Sequence, residues 1–174
     1  MIIIIYLKII GLQKPDSGEI ILNNNNPQMI FQDPYGSLNP SKTVQFIMEE
    51  PLKNLTKMTK QEREELAKEM ITKVGLSEEY LSRLPSELSG GQRQRVCIAA
   101  SLMLKPKLII ADEPVSALDV TIQAEVLKLM NELHNKMGLS FLFISHDLRV
   151  VHQMCDRIYV MKNGEIVEEG DRNQ

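Results

Sequence analysis

Residues 108–114 read Leu108-Ile109-Ile110-Ala111-Asp112-Glu113-Pro114, and this stretch decides the fold class. Four apolar residues without a polar alternation are the pattern of a strand buried on both faces, as in parallel sheets covered by helices. Asp112 and Glu113 follow at its carboxyl end, where open α/β sheets bind ligands. Downstream, Asp119 is placed to cap a helix in which Ile122, Val126, Leu127, Met130, Leu133 and Met137 form one apolar stripe closed by Gly138. Phe141-Leu142-Phe143-Ile144 reads as a second buried strand and residues 147–155 as another helix. Asn163-Gly164, flanked by Ile158 to Met161 and Glu165 to Val167, signals a two-residue hairpin. Strands alternating with helices predict an α/β fold with a mainly parallel sheet.

Upstream the period changes. Residues 41–104 are helical in pattern. Thr59 and Glu62 form a capping-box pair, Leu66, Met70 and Val74 recur every four residues up to Gly75, and a further helix starts after Ser89-Gly90-Gly91 and runs to the break at Pro106. Before this region, residues 28–32 are strand-like, and Ile20-Ile21-Leu22 reads as a strand entered from the turn cluster Pro15-Asp16-Ser17-Gly18. The run Asn23-Asn24-Asn25-Asn26 with Pro27 marks a loop. Residues 1–12 are apolar apart from Lys8. They are shorter than the roughly 20 residues of a bilayer span and lack the flanks of a secretory signal, so they read as core strand or helix. The expectation is a cytosolic protein.

At 174 residues, with 43% hydrophobic and 25% charged residues, the chain is long enough for one core and is neither disordered nor fibrous in composition. The formal net charge of -3 provides no positive field, which argues against nucleic acid as a partner. Cys97 and Cys155 lie far apart outside any Cys-x-x-Cys pattern and read as free thiols.

Three local patterns carry chemistry. In Leu88-Ser89-Gly90-Gly91-Gln92 two glycines and a serine open a helix, where free N–H groups and the helix dipole suit an anion such as phosphate. Asp112 is placed to hold Mg2+ through water, and Glu113 to orient an attacking water and accept its proton. In Ser145-His146-Asp147, just past the second buried strand, His146 can donate to a phosphate oxygen or hold that water. His134 and His152 lack such surroundings and read as solvated or core-satisfied.

Together these segments resemble the ATP-binding-cassette (ABC) ATPases. Leu88 to Gln92 matches the LSGGQ signature and Leu108 to Glu113 the Walker B strand with its catalytic glutamate. Ser116-Ala117-Leu118-Asp119 matches the D-loop, Ser145-His146-Asp147 the switch histidine, and Gln32 of Phe31-Gln32-Asp33 the Q-loop glutamine. Gln32-Asp33-Pro34-Tyr35-Gly36-Ser37-Leu38-Asn39-Pro40 and residues 115–127 look most like ATPase subunits of oligopeptide, dipeptide and nickel importers. The resemblance implies an incomplete P-loop NTPase core with a mainly parallel sheet plus an inserted helical subdomain. Residues 1–40 would be the amino-terminal part of the core, 41–104 the helical subdomain, and 105–174 the remainder of the core. It implies ATP and Mg2+ as cofactors, with Gln32, Glu113 and His146 catalytic, Asp112 and Gln32 at the metal, and Asp119 in the D-loop. Ser89, Gly90, Gly91 and Gln92 would act in trans on a partner's ATP. The implied partners are a second ABC ATPase subunit, transmembrane permease subunits and, indirectly, a solute-binding protein, which would place the chain in the cytoplasm at the inner face of the membrane.

One family element is missing. None of the nine glycines is followed by lysine, so no Walker A loop G-x-x-x-x-G-K-[ST] is present, and with it go the backbone nest and lysine that hold the β- and γ-phosphates. Residues 8–19 resemble the end of the helix after Walker A and its turn, and the segment between Ile20 and Gln28 is shorter than in the family. The expectation is a truncated importer ATPase, rather than a degenerate partner lending LSGGQ to an intact paralogue, with hydrolysis by this chain impaired.

Overall fold

The structure is a computed structural model that describes residues 2–22 and 26–172. Three parallel strands form the main sheet in the order β1 (Gln28–Ile30), β2 (Leu108–Asp112), β3 (Ser140–Ile144). The central strand is the one read as doubly buried: Ile109, Ile110 and Ala111 are all fully buried, and burial of each isoleucine contributes about 1.5–3 kcal/mol. β3 departs from its expected burial. Phe141 to Ile144 are only half-buried, because among the described residues β3 has a strand neighbour on one edge alone.

The amino end is α1 (Ile2–Ile9), and the helical region comprises α2 (Pro34–Ser37), α3 (Val44–Leu55), α4 (Lys60–Lys73), the 3-10 turns Glu78–Ser82 and Pro85–Glu87, and α5 (Gly90–Leu102). The Thr59–Glu62 capping box that opens α4 is formed reciprocally. α5 packs against α2, α3, α4 and β1, so the apolar cluster runs unbroken from Val44, Met48 and Met70 through Val96 and Ile98 to Ile30 and Ile109. The crossover from β2 to β3 is α6 (Val120–Met137), capped by Asp119 and closed by Gly138 in the left-handed conformation. After α7 (Leu148–Met154), β4 (Arg157–Lys162) and β5 (Glu165–Asp171) form a separate antiparallel hairpin. Asn163 and Gly164 both have positive φ at its tip, as a type I′ turn demands.

Two expected strands changed. Residues 20–22 carry no strand, and Ile21 is 77% exposed. An apolar run becomes a strand only where an edge accepts its hydrogen bonds, and among the described residues none does here. The strand expected over 28–32 ends at Ile30, since Phe31 and Gln32 turn out of the ladder and are exposed. Of the asparagine run, Asn23 to Asn25 lie outside the described residues, while Asn26 donates to the Leu104 carbonyl at 3.2 Å.

Two features of α5 were not legible. A Cβ added at Gly91 would lie 2.5 Å from Ile122 Cγ2 of α6, whereas one at Gly90 would meet Leu118 at an ordinary 3.6 Å. Gln94 is fully buried, and among the described residues neither of its amide atoms has a hydrogen-bond partner. The first feature makes a prediction. Gly91→Ala should lower stability by about 1–3 kcal/mol through overpacking, while Gly90→Ala should be near neutral; thermal denaturation of the two variants side by side decides it.

Candidate active site

Parallel strands in register end together. Ile30 pairs with Ala111, Ala111 with Phe143 and Asp112 with Ile144, so the residues that leave β1, β2 and β3 at their carboxyl ends arrive at one place. Gln32, Glu113 and His146 are those residues. Gln32 Nε2 donates to Glu113 Oε2 at 3.0 Å, and His146 Nδ1 donates to Glu113 Oε1 at 2.9 Å. Three residues singled out separately in the sequence therefore form one constellation centred on a carboxylate.

The backbone turns at Glu113 itself. Its φ is +45°, a left-handed conformation that non-glycine residues rarely adopt and that clusters at functional sites. Its N–H donates to the Ile144 carbonyl at 2.9 Å, and its own carbonyl accepts from the Ser116 backbone and hydroxyl. The turn is thus fixed on both sides, and the side chain lies between Gln32 and His146.

Electrostatics follow from burial and neighbours. Burial pushes the Asp112 carboxyl above the usual carboxylate range, the adjacent Glu113 charge adds to this, and a hydrogen bond from the Tyr6 hydroxyl opposes it. The Glu113 carboxylate raises the imidazole of His146, first through its hydrogen bond and then through its charge. Because Nδ1 is held by Glu113, Nε2 is the ring nitrogen left for a ligand.

The signature segment caps its own helix. Ser89 caps α5 in a reciprocal box: its Oγ accepts from Gln92 N, and Gln92 Oε1 accepts from Ser89 N at 2.9 Å. Gln92 Nε2 donates to the Tyr80 hydroxyl at 3.0 Å. The amide of Gln92 is thereby occupied inside the chain, and Gly91 serves the contact with Ile122. Ser89 and Gly90 are exposed and present the hydroxyl and the helix N-terminus outward. The structure brings none of the four into contact with Glu113 or His146. Asp119 Oδ1 accepts from Ile122 N at 3.1 Å, so its side chain works as a helix cap.

The remaining candidates have structural roles. His134 Nδ1 donates to the Leu139 carbonyl at 2.5 Å, tying the end of α6 to the entry of β3. Burial pushes the Cys97 thiol up to about 12, which disfavours the thiolate that a nucleophile needs. Cys97 Sγ instead approaches the Pro34 carbonyl, and the Arg93 guanidinium stacks over Tyr35 at 4.4 Å, joining α5 to the loop that carries Gln32.

For ATP and Mg2+ the residues present fit in part. Magnesium is commonly held by one or two carboxylates together with substrate phosphates, and Asp112, with Gln32 on the neighbouring strand end, is such a donor set. Among the described residues no group of three or more histidine, cysteine, aspartate or glutamate side chains forms a metal site. The phosphate cradle does not fit: α1 opens Ile2-Ile3-Ile4-Ile5, without the glycines, lysine or hydroxyl that would wrap a β-phosphate.

A parallel sheet whose strand ends converge on a glutamine–glutamate–histidine cluster, in a chain that also has a helix opened by Ser-Gly-Gly, is an α/β domain with its polar cluster where such sheets bind ligands. The family model described as ABC transporter matches residues 5–116, and the chain belongs to that family. It is 51% identical over 163 residues to the dipeptide transport ATP-binding protein DppF of Escherichia coli, covering 94% of this chain and 49% of that protein. It is 47% identical to the oligopeptide transport ATP-binding protein AppF of Bacillus subtilis, covering 91% and 53%. The chain thus spans about half the length of the curated relatives it matches. Among solved structures it resembles CbiO1 of Clostridium perfringens, described as part of an ABC transporter complex (TM-score 0.87, 28% identity, 98% of this chain and 72% of that one). It also resembles the dimeric cassette MJ0796 bound to ADP and Pi (TM-score 0.81, 29% identity, 97% and 79%). Membership of this family implies ATP binding. Among the described residues no helix is long and apolar enough to cross a membrane.

The raised pKa of His146 sets a pH dependence. A group whose folded value lies above its unfolded one contributes stability that is complete below the unfolded value and lost as pH rises through the folded value. The Glu113–His146 contact should therefore weaken with rising pH across the neutral range. An NMR titration should place the His146 ring above the ordinary histidine value, and Glu113→Gln should bring it back down; no change in that variant would refute the pairing.

Proposed function

We propose that the chain is the ATP-binding part of the energy-coupling subunit of an ABC importer of the peptide class. The observation that carries this is the Gln32–Glu113–His146 constellation on aligned strand ends, found in a chain that is about half identical to peptide-transport ATP-binding proteins. Glu113 is the proton acceptor for an attacking water. His146, held through Nδ1, offers Nε2 to the reacting phosphate side, and Gln32 orients Glu113 from the opposite edge. Asp112, with Gln32, is the position for Mg2+, whose contribution is to neutralise phosphate charge. Ser89 and Gly90 face outward and serve the nucleotide of a second cassette, which is the reason to expect a head-to-tail pair. Hydrolysis on this chain's own face needs a phosphate cradle from residues other than those described.

The remaining assignments follow the same reading. Residues 41–104 act as the helical subdomain, residues 1–40 and 105–174 as the core. The exposed loop around Phe31 and Tyr35 faces transmembrane permease subunits at the inner face of the membrane, and a solute-binding protein selects the peptide.

The test is association. Mixed with an intact cassette that carries a Walker A loop, the chain should form an ATP- and Mg2+-dependent complex in sedimentation velocity. Ser89→Arg should abolish that complex by placing a bulky cation at the outward helix start, with no change in the fold by circular dichroism. A wild-type chain that ignores ATP in this mixture would defeat the proposal.

A further inference from the structure

We infer that Tyr6 is a positioning residue that orients the Asp112 carboxylate from α1 for a divalent cation. This rests on the reading of Asp112 as the Mg2+ position. The burial of α1 runs against its hydrophobicity. The helix reads Ile2-Ile3-Ile4-Ile5-Tyr6-Leu7-Lys8-Ile9, and apolar burial alone would turn an isoleucine inward. Instead Tyr6 is 7% exposed, while its neighbour Ile5 stands 38% exposed and Leu7 and Ile9 are half-buried. A buried tyrosine takes a partner for its hydroxyl, and here that partner is the Asp112 carboxyl at the end of β2.

The helix also directs its charge elsewhere. Lys8 is the one basic residue of α1, and residues two apart on a helix do not face the same way. Lys8 pairs with Asp16, which ties α1 to the turn that follows it. Asp112 thus receives a neutral O–H donor from α1. That difference matters chemically. A lysine there would repel a metal ion, whereas a phenol orients the carboxylate and leaves its charge in place. An ionised carboxylate offers about four lone-pair sites, of which the hydroxyl takes one. Outer partners of this kind fix the direction of a ligating group, and losing one typically weakens metal binding about 10- to 100-fold. Glu113 is served separately, since its two oxygens accept from Gln32 and His146. Each of the consecutive carboxylates therefore has its own orienting partners.

The probe is Mn2+ in place of Mg2+, added to the full chain and followed by the electron paramagnetic resonance signal of the free ion. Tyr6→Phe keeps the buried ring and deletes only the hydroxyl. It should melt close to the wild type yet bind Mn2+ about 10- to 100-fold more weakly; a residue that only fills space would leave that affinity unchanged. Asp112→Asn marks the site, because the binding it removes is binding at Asp112. A second readout is intrinsic to the chain, which has four tyrosines and no tryptophan. Mg2+ should change the tyrosine emission of the wild type, and the change should vanish in Asp112→Asn, which decides the matter even if Tyr6→Phe does not fold. If the wild type and Asp112→Asn bind Mn2+ alike, the metal reading fails and this inference with it. If Tyr6→Phe binds as tightly as the wild type, or tyrosine emission ignores Mg2+ while Asp112-dependent Mn2+ binding persists, the inference alone is overturned.

Discussion

The register of β2 with β1 and β3 is the constraint on which the site depends. A parallel ladder carries no information about chemistry, but it aligns the carboxyl ends of its strands, and three residues of modest individual specificity become neighbours as a result. Gln32 and His146 are 114 residues apart in the chain, and both reach the same carboxylate at hydrogen-bond distance. A one-residue slip of either outer strand would reverse its inward and outward faces and carry the polar residue away. The full burial of Ile109, Ile110 and Ala111 penalises such a slip.

The signature helix has a mechanical role that its glycines make possible. Gly91 lets α6 approach α5 within the space a methyl group would occupy. Arg93 donates to the Pro85 carbonyl, Arg95 to the Val74 carbonyl and Cys97 to the Pro34 carbonyl. Along three turns α5 thus contacts the helical region, the Gln32 loop and the helix that Asp119 caps.

Much of this was legible because it is local. The β2 run, the α6 stripe between Asp119 and Gly138, the Thr59–Glu62 box and the Asn163-Gly164 turn each depend on neighbours in sequence, and each formed within a residue or two of its expected bounds. Features that depend on distant partners were not legible. Ile20-Ile21-Leu22 has strand composition but found no edge, and β3 has the composition of a buried strand but lies at a margin. The individual members of the site were visible as motifs, while the bonds uniting them on Glu113 were not. Nor was the internal use of Gln92: capping Ser89 and donating to Tyr80 are choices made by the 3-10 turn that brings Tyr80 alongside.

Adjacent carboxylates with different work pose the sharpest demand on the backbone. Asp112 and Glu113 are consecutive, and had both continued the strand they would have pointed to opposite faces of the sheet, leaving one of them outside the site. The left-handed turn at Glu113 re-aims the second carboxylate across the strand ends while Asp112 keeps its strand geometry. Their surroundings then separate them chemically. Asp112, desolvated and beside a like charge, is held above the usual carboxylate range and is the member that a cation would favour in its ionised form. Glu113 accepts one bond on each oxygen, from an amide and an imidazole, and these fix its orientation. The strain of one residue at positive φ is the physical means by which two consecutive acidic side chains take different directions and different partners.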